Sequence, residues 1–188
     1  MFDDYKTKES VVLVYTGESK GKTSASIGLM CRALGNDWRV AYIQFIKHWE
    51  VGEHKFIRRI QPVFEDKLTF YKGGKGFYNA GEMSAKNVSE AEHRQAAQET
   101  YNFALHCLRS GDYDLVICDE INNALHDGLL NDEQYKTLIT ERASKTSLCL
   151  TGRNFPREFI DLVDIATSMT KIKHHFDEKY LANKGIDF

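Results

Sequence analysis

The chain has 188 residues, a formal net charge of −2, 42% hydrophobic residues and 28% charged ones. That is one ordinary globular domain's worth of chain with enough apolar side chains for a core, and its near-neutral balance argues against a dedicated nucleic-acid binder, which carries a strong basic excess. The first ten residues, MFDDYKTKES, lack the apolar centre of a secretory signal, and no window approaches the roughly 18 apolar residues of a membrane span, so the expectation is a cytoplasmic protein with neither nucleic-acid nor membrane partners.

Residues 1–10 read as a loose polar arm and residues 11–188 as a single domain. The run Val11-Val12-Leu13-Val14-Tyr15 predicts a buried strand. The turn Thr16-Gly17-Glu18-Ser19-Lys20-Gly21 follows, and Lys22-Thr23 opens a helix in which Ile27, Met30, Cys31 and Leu34 share one face and which Gly35 stops. Residues 39–45 predict a second buried strand, 55–60 a short helix and 68–71 a third strand, ahead of a glycine-dense loop over 72–81. Ser89 and Glu92 have capping-box spacing, so a long helix follows, with Ala97, Tyr101, Ala104, Leu105 and Leu108 in helical register until Gly111 ends it.

Residues 115–118 predict a strand closed by Asp119-Glu120, residues 129–143 are helical, and residues 147–151 form a fifth strand followed by Gly152-Arg153-Asn154. A short helix over 156–163, with Pro156 in its first turn, and a last strand near 166–169 complete the order. Strands that are apolar throughout and alternate with helices are the signature of a parallel sheet covered on both faces. The expected architecture is a three-layer α/β fold with a mainly parallel central sheet, which takes its ligands at the C-terminal ends of the strands. Cys31, Cys107, Cys118 and Cys149 lie far apart in apolar segments and read as buried, reduced thiols.

Strand, glycine turn, Lys-Thr and helix together are the context that makes a phosphate-loop motif meaningful. A helix start presents unpaired N–H groups and the positive end of the macrodipole, which attract phosphate oxygens. Lys22 adds a full charge, and the Thr23 hydroxyl is placed to ligate Mg²⁺. The usual pattern is G-x-x-x-x-G-K-[ST], whereas Gly17 and Gly21 have three residues between them; either Thr16 fills the first glycine's place or the loop is one residue short. Asp119-Glu120, directly after a hydrophobic strand, could reach a phosphate-bound Mg²⁺ or simply open an acidic helix start. Arg153 could clamp phosphate or be a surface residue, and Arg32 could serve a ligand or its own helix terminus. Phe77 and Tyr78 in the glycine-rich loop either pack inward or cover a flat apolar ligand. His174-His175 read as strand neighbours facing opposite sides, and His48, His54, His93, His106 and His126 as surface or core residues. No cysteine–histidine cluster has zinc spacing, and no residue in the motifs stands out to orient an attacking hydroxyl or water.

Taken together, the stretches VYTGESKGKTSASIGLMCRALG, RVAYIQFIK, LVICDEINNALHDGLL, LTGRNFPREFIDLVD and KGIDF resemble the phosphate-loop ATP:corrinoid adenosyltransferases over nearly the whole chain. The resemblance implies a P-loop NTPase-like fold and an enzyme that transfers the 5′-deoxyadenosyl group of ATP to the Co(I) of cob(I)alamin or another corrinoid, releasing triphosphate. It implies that Gly17, Glu18, Ser19, Lys20, Gly21, Lys22 and Thr23 hold the triphosphate, with Arg32 and Arg153 as further nucleotide contacts. Lys22, Thr23 and Glu120 are the implied catalytic set, with Thr23 and Glu120 on Mg²⁺ (or Mn²⁺) and Asp119 acting indirectly. Gly76-Phe77-Tyr78-Asn79 aligns with a Gly-Phe-x-Trp segment that presses on one corrin face, with Asn79 where the tryptophan is usual. A homodimer and an electron-donating, flavodoxin-like reductase are the implied partners. A phosphate-loop kinase or ATPase, and a non-catalytic corrinoid- or nucleotide-binding protein, are the alternative readings.

Overall fold

The computed structural model describes residues 4–78 and 87–188. Among these residues six strands form one sheet: β1 (Val12–Thr16), β2 (Val40–Gln44), β3 (Leu68–Lys72), β4 (Leu115–Asp119), β5 (Ser147–Thr151) and β6 (Ile165–Ser168). Their order is β3-β2-β4-β5-β1-β6, and every pairing is parallel, so the sheet is wholly rather than mainly parallel. All the strand C-termini therefore open on one edge, where the loops after β1, β2, β4 and β5 meet.

Successive strand residues point to opposite faces, and each face has its own core. On one side Leu13, Tyr42, Leu115, Ile117 and Cys149 pack with Met30 and Leu34 of α1 (Lys22–Leu34) and Ile57 of α2 (Gly52–Phe64). On the other, Val12, Val14, Ile43, Val116 and Cys118 pack with α3 (Glu90–Ser110), α4 (Ile121–His126) and α5 (Asp132–Thr140). A strand buried on both faces is apolar along most of its length, as β2, β4 and β5 are, and their buried polar residues Gln44, Asp119 and Thr151 fall at the C-terminal ends.

The N-terminus of α3 is closed by the expected capping box: Glu92 N–H donates to Ser89 Oγ, and Ser89 N–H donates to the Glu92 carboxylate at 2.8 Å. Gly111 ends the helix at φ 74°, in the left-handed region that costs glycine nothing.

Several expectations give way. The short helix foreseen over 55–60 runs from Gly52 to Phe64, with Pro62 inside its last turn, where the missing N–H removes one helical hydrogen bond. The helix foreseen over 129–143 is α5 alone, and a separate helix, α4, starts immediately after Glu120. Pro156 precedes a 3₁₀ turn, Arg157–Leu162, instead of entering a helix. Cys31 is exposed, because α1 turns Ser26, Met30, Ala33 and Leu34 inward; Cys107, Cys118 and Cys149 are buried thiols as expected. His174 and His175 do not lie in a strand: His174 caps a 3₁₀ turn (His175–Glu178), and their rings sit 4.7 Å apart. Asn79 and Gly81 lie outside the described residues.

Candidate active site

The phosphate loop bridges β1 and α1 and is braced by the strand beside it. Gly17 has φ 97°, and a Cβ there would lie 2.4 Å from the Met169 carbonyl oxygen, so only glycine lets the loop pass β6. Met169 N–H donates to Thr16 O at 2.8 Å, and Ser19 N–H donates to Met169 O at 3.2 Å, clamping the loop on both sides of that close approach. Lys22 curls back over the turn, its ammonium donating to Gly17 O at 2.7 Å and Ser19 O at 2.6 Å. Burial, with Arg153 adding repulsion, lowers the Lys22 pKa despite the nearby carboxylates.

Asp119, the last residue of β4, is fully buried and fully engaged. Its carboxylate accepts from Thr151 Oγ1 at 2.8 Å, Gln44 Nε2 at 3.0 Å and Thr23 Oγ1 at 3.2 Å. The Gln44 amide is itself aimed by a relay. Val51 N–H donates to His54 Nδ1 (3.4 Å), which leaves Nε2 carrying the proton to donate to Gln44 Oε1 at 2.5 Å. Burial, with Lys72 adding repulsion, pushes the His54 pKa down to about 4, which keeps this imidazole neutral. Asp119 is thus a hub that fixes the Thr23 hydroxyl.

Glu120 is different. It takes the left-handed conformation (φ 62°) at the start of α4, yet its side chain does not cap that helix. Its Oε2 is buried without a hydrogen-bond partner among the described residues. Burial and the adjoining Asp119 charge push its pKa up to about 7. A buried carboxylate oxygen with nothing to bind, in the same cavity as the Thr23 hydroxyl, fits a hard cation that takes oxygen ligands. Among the described residues no group of three or more His, Cys, Asp or Glu could hold a metal alone, so phosphate oxygens would have to complete such a site.

The segment after β5 is held by α4. Gly152 has φ 131°, and a Cβ there would lie 2.8 Å from Asn122 Cβ. Asn122 Nδ2 donates to Gly152 O at 3.1 Å, Asn122 Oδ1 accepts from the Tyr135 hydroxyl at 2.6 Å, and Asn123 Oδ1 accepts from Arg153 N–H at 2.7 Å. Two adjacent asparagines therefore position the backbone that carries Arg153.

These pieces surround a cavity of about 760 Å³ at the strand C-termini. It is lined by Glu18, Ser19, Lys20, Gly21, Lys22 and Thr23, and also by Glu120, Arg153, Phe77 and Tyr78. Gly17 sits behind this lining, and so does Asp119, reaching the cavity through Thr23. Arg32 is not brought in. It is exposed in the last turn of α1, ten residues beyond Lys22 and so about 15 Å along the axis, where it suits the helix terminus.

Sequence reasoning gave no role to Lys47, Glu53 or Gln44 and read His54 only as a surface or core residue; the fold gathers them around Asp119. That reasoning also missed Trp49, whose ring lies 5.0 Å from that of Phe77, and the presence of His126 and His174 on the cavity wall. A signal for Lys47 was available: it lies three residues beyond the end of β2, at a strand end where ligands bind. Tyr78 rests on His93, ring to ring at 5.3 Å.

A glycine turn feeding a helix N-terminus at the C-terminal edge of an all-parallel sheet, with an acidic pair at the end of the strand one removed from it, defines a phosphate-loop nucleotide-binding fold. Solved structures with the same fold include the flagellar accessory protein FlaH from Methanocaldococcus jannaschii (TM-score 0.53, 13% identity, 86% of this chain and 71% of that one). The ATPase EscN of the enteropathogenic Escherichia coli type III secretion system matches equally well (TM-score 0.53, 13% identity, 86% of this chain and 42% of that one). Residues 8–188 match the family described as ATP:corrinoid adenosyltransferase BtuR/CobO/CobP, and the chain belongs to that family of transferases. It is 31% identical to the corrinoid adenosyltransferase of Pseudomonas aeruginosa over 97% of this chain and 86% of that protein. It is 33% identical to a Sinorhizobium sp. corrinoid adenosyltransferase (97% and 83%) and 28% identical to that of Escherichia coli K12 (96% and 87%).

Proposed function

We propose that the chain transfers the 5′-deoxyadenosyl group of ATP to the Co(I) of a reduced corrinoid, releasing triphosphate. The observation that carries this reading is that one cavity joins a triphosphate cradle, from Glu18 to Thr23, with the aromatic side chains of Phe77 and Tyr78, which suit a flat macrocycle. The cobalt lone pair forms the bond to C5′ while the C5′–O bond breaks, and its electron pair leaves on triphosphate. Because Co(I) is already a strong nucleophile, the protein need not remove a proton. Its work is to align C5′ with cobalt and to stabilise the leaving charge.

Lys22 and the helix N-terminus supply that stabilisation, with Arg153 as a further phosphate contact. Thr23 and Glu120 would hold Mg²⁺ or Mn²⁺, which would neutralise phosphate charge, and Asp119 acts behind them by orienting Thr23. Trp49, outside the cavity lining, supports Phe77 through their ring contact. The reading includes a homodimer, a flavodoxin-like electron donor that generates Co(I), and a cytoplasmic setting; residues 11–188 act as one domain behind the arm of residues 1–10. The direct test is incubation with ATP, Mg²⁺ and a chemically reduced corrinoid. Cobalt–carbon absorbance and stoichiometric triphosphate are expected, and absence of both would overturn the assignment.

One observation favours a second reading. Glu120 Oε2, buried at this cavity without a hydrogen-bond partner among the described residues and with its carboxyl pKa raised by burial and by Asp119, is suited to take a proton from water and so to ATP hydrolysis. That chemistry gives ADP and phosphate instead of triphosphate, so the product decides between them.

A further inference from the structure

Lys47 leaves the end of β2 and turns into the base of the cavity, with its side chain only 12% exposed. Its ammonium donates to Glu53 Oε1 at 2.6 Å and to Thr23 Oγ1 at 3.3 Å, and lies 3.7 Å from Asp119 Oδ2. Glu53, 18% exposed, comes from the first turn of α2. A lysine in this position is the positive charge that Asp119, Glu53 and the adjoining Glu120 are arranged around.

The contact with Thr23 matters most. A small divalent ion sits about 2.1 Å from its oxygen ligands. An ion on Thr23 Oγ1 would therefore lie close to the Lys47 ammonium bonded to that same oxygen. Two cations at such separation in a partly buried site repel strongly. A metal–nucleotide complex is another matter, because its phosphates bring more negative charge than the metal brings positive. Lys47 opposes the first ligand and attracts the second.

We infer that Lys47 is the resident counter-cation of the Thr23–Asp119–Glu53 cluster, and that it makes divalent-ion binding conditional on nucleotide. Glu53 is then a positioning residue, holding the ammonium between the carboxylates and the phosphate side of the cavity. This inference rests on Thr23 as a metal ligand, but not on adenosyl transfer being the reaction.

The test is Mn²⁺ binding to the full chain followed by electron paramagnetic resonance, without nucleotide. Lys47→Met should bind free Mn²⁺ roughly tenfold or more tightly than the wild type, while Lys47→Arg, which keeps the charge, should match the wild type. The added site should vanish in Lys47→Met/Thr23→Val. Equal affinities for wild type and Lys47→Met, or a gained site that survives loss of Thr23, would overturn the inference. If Lys47→Met does not fold in metal-free buffer, millimolar Mn²⁺ must restore a cooperative melting transition, and failure to do so counts against the inference equally. Mn²⁺ binding with ATP present separates the two claims. If Thr23→Val leaves it unchanged, the metal site itself is wrong; if Thr23→Val weakens it while Lys47→Met behaves as wild type without nucleotide, only the role of Lys47 falls.

Discussion

Glu120 combines two unfavourable features in one residue. Its left-handed backbone costs on the order of 1 kcal/mol for a residue with a side chain, and its carboxylate is buried beside another. In the native protein it keeps its proton up to about pH 7, whereas its ordinary value is 4.5. The folded state therefore binds more protons in that window, and stability falls as pH rises through it. His54 slopes the other way. Its pKa falls from 6.5 to about 4, so the unfolded chain binds more protons there and stability is lost as pH drops through that range. The two slopes oppose each other in the wild type. In metal-free buffer Glu120→Gln should remove the opposing slope, so that stability rises more steeply than in the wild type between about pH 4.5 and 6.5, where His54 and the likewise depressed His93 both contribute, and should exceed the wild type at pH 8 by on the order of a few kcal/mol. Urea unfolding across pH checks this; superimposable profiles would contradict it. For Lys22, poised over Gly17 and Ser19, substitution by alanine should lower kcat for adenosyl transfer by about 100-fold or more, measured as triphosphate release.

At the scale of elements, the site is a set of side chains by which one loop fixes the next. α5 supports α4 through Tyr135 and Asn122, and α4 supports the loop after β5 through Asn122 and Asn123. Tyr135→Phe leaves the buried Asn122 oxygen without its donor, which should cost about 1–3 kcal/mol in denaturant unfolding. It should also raise KM for ATP by loosening Arg153, although Tyr135 is absent from the cavity lining; an unchanged KM would separate stability from positioning here.

What could be read from the sequence follows the same division. The strands, the phosphate loop, the capping box of α3 and the break at Gly111 are local signals, and each stands where local chemistry puts it. α4 escaped the sequence reading, which expected helix only from residue 129, and the partners of Asn122 and Asn123 are a tyrosine on another helix and a backbone 30 residues away, which no local pattern records. The Gln44–Asp119 and Lys47–Thr23 contacts join segments whose spacing no periodicity records.

For the molecule as a whole, the apolar surface is uneven. β6 is an edge strand exposed along its length, and Ile165 on it, followed by Ile172, Leu181 and Ile186, is open to solvent. Unpaired strand edges with exposed apolar side chains invite association, which makes the β6 edge and the exposed segment after it the place to test the proposed homodimer. Sedimentation should give a dimer for the wild type and a shift toward monomer for Ile165→Lys/Ile172→Lys. A dimer untouched by both substitutions would move the interface elsewhere.

The bracing of the phosphate loop by Met169 has a kinetic consequence. Gly17 and Ser19 belong to the first loop of the sheet, yet their partner lies about 150 residues further along the chain. Contacts that span so much chain form late, because loop closure must precede them. On refolding, secondary structure should therefore recover before the protein can retain a fluorescent ATP analogue, and stopped-flow comparison of far-ultraviolet circular dichroism with analogue binding should show that lag. A motif written near the start of the sheet would thus be among the last parts of the molecule to become competent.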